Sequence, residues 1–247
     1  MNRLVTIRYS HYCEKARWAL ERARIDFVEE PHVPVLSWIG TLGSRGNRTA
    51  PVFVAAGKTY AESTDILRFA DEHGSADKLF TGDAEVERLE EHFDRHLGPT
   101  ARRAVYDDVL RLPRAQLAEL LGKDAPRWEK RVARVATPVI GGMIRRGLRV
   151  TPSEVKRSKE MVDTIFGEVE ALLRDGRRYL TGDRFTAADL TFAALAAVIV
   201  FPEGYARYAL QLAELPPSIT DVVHRYREKP AGAFAMRMYA EHRDAVY

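Results

Sequence analysis

The N-terminal third of the chain alternates short β-branched runs with longer polar, helix-forming ones. Residues 4–9, LVTIRY, read as a strand. Residues 13–24, CEKARWALERAR, follow with helix formers and neither glycine nor proline. IDFVEEPHV (25–33) reads as a second strand running into a proline-bounded loop. APVFVAAGKTYAES (50–63) contains a strand, a turn centred on Gly57 and a short return strand. Ser63 is placed to N-cap a helix over STDILRFADEHG, closed by Gly74. The order β-α-β-loop-β-β-α predicts a small sheet with helices laid on it.

Beyond GSADKLFTGD (74–83) the period-two pattern stops and helical periodicity takes over. It runs through AEVERLEEHFDRHLG, WEKRVARVATPVIGGMIRRGL, SEVKRSKEMVDTIFGEVEALLRD, AADLTFAALAAVIV and a terminal stretch from Ser218 to Arg243. The chain therefore divides into an α/β domain over 1–76, a linker over 77–84 and an all-helical domain over 85–247. The segment LRLPRAQLAELLGKDAPRWEKR is longer than a plain connection between helices. In GDRFTAAD (182–189), Thr186 and Asp189 form a capping box, with Phe185 ahead of it as a hydrophobic staple.

Composition narrows the function classes. Among 247 residues, 46% are hydrophobic and 30% charged, an ordinary globular balance. The net charge of +3 suits anionic small ligands and gives little support to nucleic-acid binding. One cysteine excludes an internal disulfide and fits a reducing cytoplasm. MNRLVTIRY lacks the apolar core of a signal peptide, and FAALAAVIVF (192–201) is too short to span a bilayer before Pro202 stops it. It reads as a buried helix, and no membrane partner is expected.

The chemistry concentrates where the first strand becomes the first helix, in YSHYCEKAR. A helix start directly after a strand presents unpaired N–H groups and the positive end of a dipole, a favourable place for a thiolate. Cysteines so placed have pKa values lowered from about 8.5 into the range of roughly 3.5–7.5. Here the spacing is S-x-x-C, with Ser10 at the exposed position and Cys13 one turn into the helix. Two readings follow: Cys13 as a redox centre, or Ser10 as a hydroxyl donor to a thiolate brought by a ligand. No G-x-S-x-G elbow supports Ser10 as a nucleophile.

Four marks in order resemble a cytosolic-type glutathione transferase of the serine-active-site kind: SHYCEKAR at 10–17, TAPV at 49–52, ES at 62–63 and GDRFTAAD at 182–189. The resemblance spans essentially the whole chain. It implies a thioredoxin-like N-terminal domain that binds glutathione and an all-α C-terminal domain that contributes the second-substrate site. Ser10 would stabilise the glutathione thiolate. Ala50, before a cis-Pro51, would pair its backbone with the cysteinyl part of the tripeptide, and Glu62 and Ser63 would bind the γ-glutamyl end. Arg17 matches a family arginine expected in a buried ion pair, and Tyr9 lies too near it to be the catalytic tyrosine of other classes. His11, Tyr12, Arg102, Arg103 and Tyr106 are the second-substrate candidates, suited to a planar or anionic electrophile. Trp38 and Arg48 border the glutathione site on the loop after the second strand. The implied function is a glutathione transferase (alkyl or aryl transfer), cytoplasmic and homodimeric, with glutathione as co-substrate and no metal. The alternatives are a glutathione-dependent thiol–disulfide oxidoreductase through Cys13, or a non-catalytic binding or assembly module on the same fold.

Two further signals carry less weight. His92 and His96 are spaced to grip a metal on a helix, but Phe93 stands where a zinc peptidase needs glutamate. Arg145, Arg146, Arg149, Lys156, Arg157 and Lys159 gather cations without the interleaved aromatics of a single-strand binder. They read as a solvated helix end, with anion attraction second.

Overall fold

The computed structural model describes residues 1–41 and 49–243. Four short strands, β1 (Arg3–Thr6), β2 (Val28–Pro31), β3 (Val52–Ala55) and β4 (Lys58–Tyr60), form one sheet in the order β2-β1-β3-β4. β2 runs parallel to β1, while β3 and β4 are antiparallel neighbours. The parallel pair requires a crossover, which α1 (His11–Arg22) supplies; α2 (Ser63–His73) follows β4 and packs against α1. The thioredoxin-like arrangement read from the sequence is thus present. Ala56 and Gly57, both with positive φ, make the tight turn between β3 and β4.

The second half is helical: α3 (Ala84–His92), α4 (Gly98–Val109), α5 (Arg114–Leu121), α6 (Arg127–Gly147), α7 (Pro152–Leu173), α8 (Ala187–Val200), the short α9 (Glu203–Ala206), α10 (Pro217–Arg227) and α11 (Pro230–Met238). The terminal helical stretch is two helices, because Pro230 cannot continue α10 and instead opens α11. The long connection noted in the sequence holds α5 and the start of α6, packed on each other. Pro138, inside α6, has no N–H for the Arg134 carbonyl one turn earlier; Arg114 of α5 donates to that carbonyl instead, at 3.2 Å.

α8 is the hub. It is almost wholly buried and packs on α1, α3, α4, α10 and α11, so the apolar run that could not span a membrane is the centre of the core. Its start is fixed by the predicted capping box: the buried Asp189 carboxylate accepts from the Thr186 N–H and hydroxyl, each at 2.8 Å, and from the Leu180 N–H at 2.8 Å. Phe185, ahead of the cap, stacks on His242 with centroids 4.1 Å apart and lies 6.0 Å from Trp18. The cap therefore joins α8 to both domains.

One local expectation shifts by a residue. Glu62, not Ser63, is the N-cap of α2, and Ser63 is its first helical residue.

Replacing Asp189 by Ala strands two buried N–H groups and a hydroxyl, which costs about 3 kcal/mol. A fall in Tm of roughly 5–12 °C is expected, with Asp189→Asn falling less. Differential scanning calorimetry checks both.

Candidate active site

Ser10 ends the turn after β1 and N-caps α1 with extended backbone angles. Its N–H donates to the Ile7 carbonyl at 2.9 Å and its carbonyl accepts from the Glu14 N–H at 2.8 Å. The hydroxyl makes no cap bond to the helix N–H groups and instead interacts with the Cys13 thiol one turn in. Ser10 also lines a largely apolar cavity of about 240 Å³ between the two domains. The N-terminal half contributes Ser10, His11, Val35, Thr49 and Ala50, and the helical half Arg102, Tyr106, Ile144, Leu148 and Tyr205. The Ala50–Pro51 bond is cis, and Ala50 lines the same cavity as Ser10.

Cys13 is fully buried, with its sulfur 3.4 Å from the Ile7 N–H that donates to it. Burial pushes its thiol up to about 11, against the smaller opposing effects of that N–H, Arg17 and the Ser10 hydroxyl. It is protonated and sealed at neutral pH, despite standing in the first turn of a helix.

The sequence-level candidates for the second substrate divide. His11, Arg102 and Tyr106 line the cavity. His11 is buried and donates from Nε2 to the Gly98 carbonyl at 2.9 Å, since a carbonyl can only accept. Burial, then the nearby Arg102 charge, lower its pKa to about 3, so the ring stays neutral. The Arg102 Nε is buried and has no hydrogen-bond partner among the described residues. Tyr106 lies beside Tyr9 in the wall, and burial keeps both phenols protonated. Tyr12 and Arg103 do not reach the cavity. The Tyr12 hydroxyl donates to the Asp94 carbonyl at 2.8 Å, and its ring fills the space a Cβ would need at Gly98. Arg103 turns to α7 and the end of α6, donating to the Ser158 hydroxyl at 3.1 Å and the Leu148 carbonyl at 2.8 Å.

The carbonyls that receive His11 and Tyr12 belong to Gly98 and Asp94, at the end and within a π-helical turn, Phe93–Leu97, between α3 and α4. That turn breaks the ordinary i to i−4 ladder where α1 docks. Nothing in the residue pattern revealed it. The same turn carries the Asp94 carboxylate, which meets the Lys15 ammonium at 2.6 Å. Lys15 is fully buried and also binds Glu90 at 2.5 Å and the Thr64 hydroxyl at 2.9 Å. The Ser63 hydroxyl donates to Asp94 at 3.1 Å. Glu62, at the start of α2, is exposed and sits on a separate surface depression from the cavity. Lys15 and Asp94 were missed in the sequence because a lysine and an aspartate on amphipathic helices look solvated.

Arg17 is the expected ion-pair member. Its guanidinium binds Glu14 at 2.5 Å and Glu29 at 2.6 Å and lies 4.1 Å from the Tyr208 ring centroid. Trp38 is exposed and is absent from the cavity lining; Arg48 lies outside the described residues. The His92 ring bonds Glu168 at 2.8 Å and lies 5.1 Å from His96. Among the described residues, no group of three or more His, Cys, Asp or Glu is placed to hold a metal ion. Nor is any helix there long and apolar enough to cross a membrane.

Comparison with known proteins follows this geometry. Residues 4–77 match the N-terminal domain of glutathione S-transferases and residues 152–226 the C-terminal domain, together more than half of the chain. The chain belongs to the glutathione S-transferase family. Similar solved structures include the beta-etherase LigF of Sphingobium sp. strain SYK-6, at TM-score 0.60 and 17% identity, covering 96% of this chain and 98% of that one. A Ceriporiopsis subvermispora glutathione S-transferase in complex with glutathione matches at TM-score 0.60 and 15% identity, covering 97% and 95%. A Methylobacterium radiotolerans glutathione S-transferase in complex with glutathione sulfonate matches at 0.54 and 19%, covering 95% and 94%. No curated protein sequence matches the chain. Residues 78–151, between the two matched regions, hold α3 to α6, and Leu120 of α5 and Ile144 of α6 line the cavity.

Glu29 gives the site a measurable acid response. Burial alone would raise its carboxyl, but Arg17 and Arg8 beside it prevail and hold it at about 2. A depressed carboxylate stabilises the fold above its unfolded value of 4.5. That contribution fades as the pH falls from there toward 2. Urea unfolding at successive pH values should show the loss in that window, and Glu29→Gln should flatten it.

Proposed function

We propose that this chain is a glutathione transferase of the serine type, in which the Ser10 hydroxyl donates to the glutathione thiolate. The observation that carries the reading is Ser10 at the N-cap of α1, on the wall of an apolar cavity, with the Ala50 edge beside it. The hydroxyl and the first N–H groups of α1 favour the ionised thiol over the neutral one. Ala50 offers backbone groups to the cysteinyl part of glutathione as an added strand would. Glu62 and the N–H of Ser63 hold the γ-glutamyl end. The Ser63 hydroxyl is less available for this, because it is given to Asp94. Relatives of the same fold crystallised with glutathione and glutathione sulfonate support the tripeptide as co-substrate.

The chemistry is proximity and thiolate activation. The glutathione thiol loses its proton to solvent, the sulfur attacks the electrophilic carbon, a C–S bond forms and the leaving group departs with its electron pair. The electrophile sits in the apolar cavity, which fits alkyl or aryl transfer. Its aromatic lining from Tyr9, Tyr106 and Tyr205 suits a planar partner. The enzyme acts as a homodimer in the cytoplasm, as its relatives' family implies. Cys13, protonated and sealed, has no part in this reaction.

Replacing Ser10 by Ala should move the pH at which conjugation of a nitroaryl halide turns on upward by a unit or more. The rate then falls about tenfold at pH 6.5 and recovers in base. Cys13→Ala should leave the profile in place. An unchanged profile in Ser10→Ala removes Ser10 from the mechanism, and lost disulfide exchange in Cys13→Ala favours the oxidoreductase. Calorimetry showing no heat with millimolar glutathione favours a binding module.

Arg102 carries the specificity part of the proposal. Its guanidinium borders an apolar cavity and its Nε lacks a partner among the described residues, so an anionic group on the electrophile completes it. Comparison of a chlorodinitrobenzene with its carboxylated analogue should show the carboxylate preferred in kcat/KM. Arg102→Gln should erase about tenfold of that preference while changing the neutral substrate little. An unchanged ratio overturns this role.

A further inference from the structure

Helix α6 carries a surface that the transferase reading does not use. Its inner face, Glu129, Ala133, Thr137, Ile140 and Ile144, is buried. Glu129 is spent inside: it accepts from the Val33 N–H at 2.8 Å and pairs with His32 at 2.6 Å. On the outside, Trp128, Val132, Val135, Val139 and Met143 follow one another at helical spacing, and all are exposed. Val135 and Val139, at 76% and 65% exposure, are among the most exposed large apolar side chains of the chain. The stripe is about 22 Å long, from the fifteen steps of 1.5 Å between Trp128 and Met143. A continuous exposed apolar band on a stable helix marks a contact surface, unlike scattered single residues.

The charges beside the stripe have one sign. Arg127, Arg131 and Arg134 run along one margin at i, i+4 and i+7, and Arg146 and Arg149 are exposed at its C-terminal end. Glu129 is the only acid from 127 to 149, and it is buried. Neighbouring elements do little to offset this. Asp124 pairs with Arg8, and Asp107 with Arg111 and Arg145, leaving Glu119 of α5 as the exposed acid facing Lys130 and Arg134. Arg114 adds a further cation against the Arg134 and Val135 carbonyls. A helix with an apolar stripe ending in tryptophan and flanked by arginines is built to lie in a lipid interface.

We propose that α6 docks this chain on an anionic phospholipid surface, with the Trp128–Met143 stripe in the headgroup boundary and the arginines on lipid phosphates. A second copy is the poorer occupant, because it brings an equal set of arginines and no exposed acid from its α6 to meet them. The placement also has a use. Ile144, Gly147 and Leu148 of the same helix line the electrophile cavity, so docking sets that cavity beside a reservoir of apolar compounds. This departs from the absence of a membrane partner expected from the sequence, and it concerns a surface helix rather than a spanning one.

The test is flotation of the full chain with vesicles of phosphatidylglycerol and phosphatidylcholine, against vesicles of phosphatidylcholine alone. Binding is expected only to the anionic vesicles, and it should weaken with salt. Each of Arg131→Gln and Arg134→Gln should weaken it about fivefold. The double variant Val135→Asp, Val139→Asp should abolish it. These positions are exposed, and unchanged circular dichroism and unchanged conjugation of a water-soluble substrate confirm that the variants remain folded. In a Trp38→Phe background, brominated lipid should quench Trp128, and Trp128→Phe should remove the quenching. No flotation with anionic vesicles overturns the proposal. So does binding that survives the double aspartate variant, or a solution dimer that this variant splits without any lipid binding. The readout is independent of catalysis, so it stands or falls apart from the transferase reading.

Discussion

Helix α1 carries Glu14, Lys15 and Arg17 fully buried, and the rest of the molecule is arranged around the need to pair them. Unpaired, each would cost several kcal/mol, because the interior cannot solvate an isolated charge. Arg17 takes Glu14 and Glu29 of β2, Glu14 takes Arg243 near the C-terminus, and Lys15 takes Glu90 of α3 and Asp94 of the π-helical turn. Arg243 also reaches Glu21 farther along the same helix. Partners come from both domains, so the charges act as a register for α1. Such pairs add little net stability over apolar packing, but they are satisfied in only one arrangement.

That arrangement delivers the functional geometry. Ser10 sits one residue ahead of the helix so fixed, and His11 and Tyr12 in its first turn bond carbonyls of the opposing domain. Ser10 and His11 line the cavity together with Val198 of α8, while Tyr12 faces away from it. The Ser10 backbone is therefore held by Ile7 on one side and Glu14 on the other, next to an interdomain seam. Cys13, one turn into the same helix, is fully buried, and burial keeps its thiol protonated.

The helical half serves two surfaces with one pair of helices. α6 closes the cavity with Ile144 and Leu148 and presents valines, a methionine and a tryptophan outward. A helix apolar on two faces is costly to leave in water, and here the second face is bordered by arginine. Arg102 and the arginines outside sit in different settings: Arg102 lines the cavity with its Nε buried and unpartnered among the described residues, while the others are exposed.

The order of elements, the α8 cap and the position of Ser10 at the start of the first helix were legible in the sequence, because each depends on local periodicity or on residues within one turn of each other. Thr186 and Asp189 are three apart, and Ser10 follows its strand directly. Which candidates line the cavity was decided only in three dimensions. Tyr12 and Arg103 turn away, while their neighbours His11 and Arg102 turn in, since helix rotation is set by packing against distant elements. Ser63 gives its hydroxyl to Asp94, a residue 31 positions later, and the π-helical turn that presents Asp94 has no residue signature. Local chemistry wrote the parts; long-range charge pairing and close packing chose how they face one another.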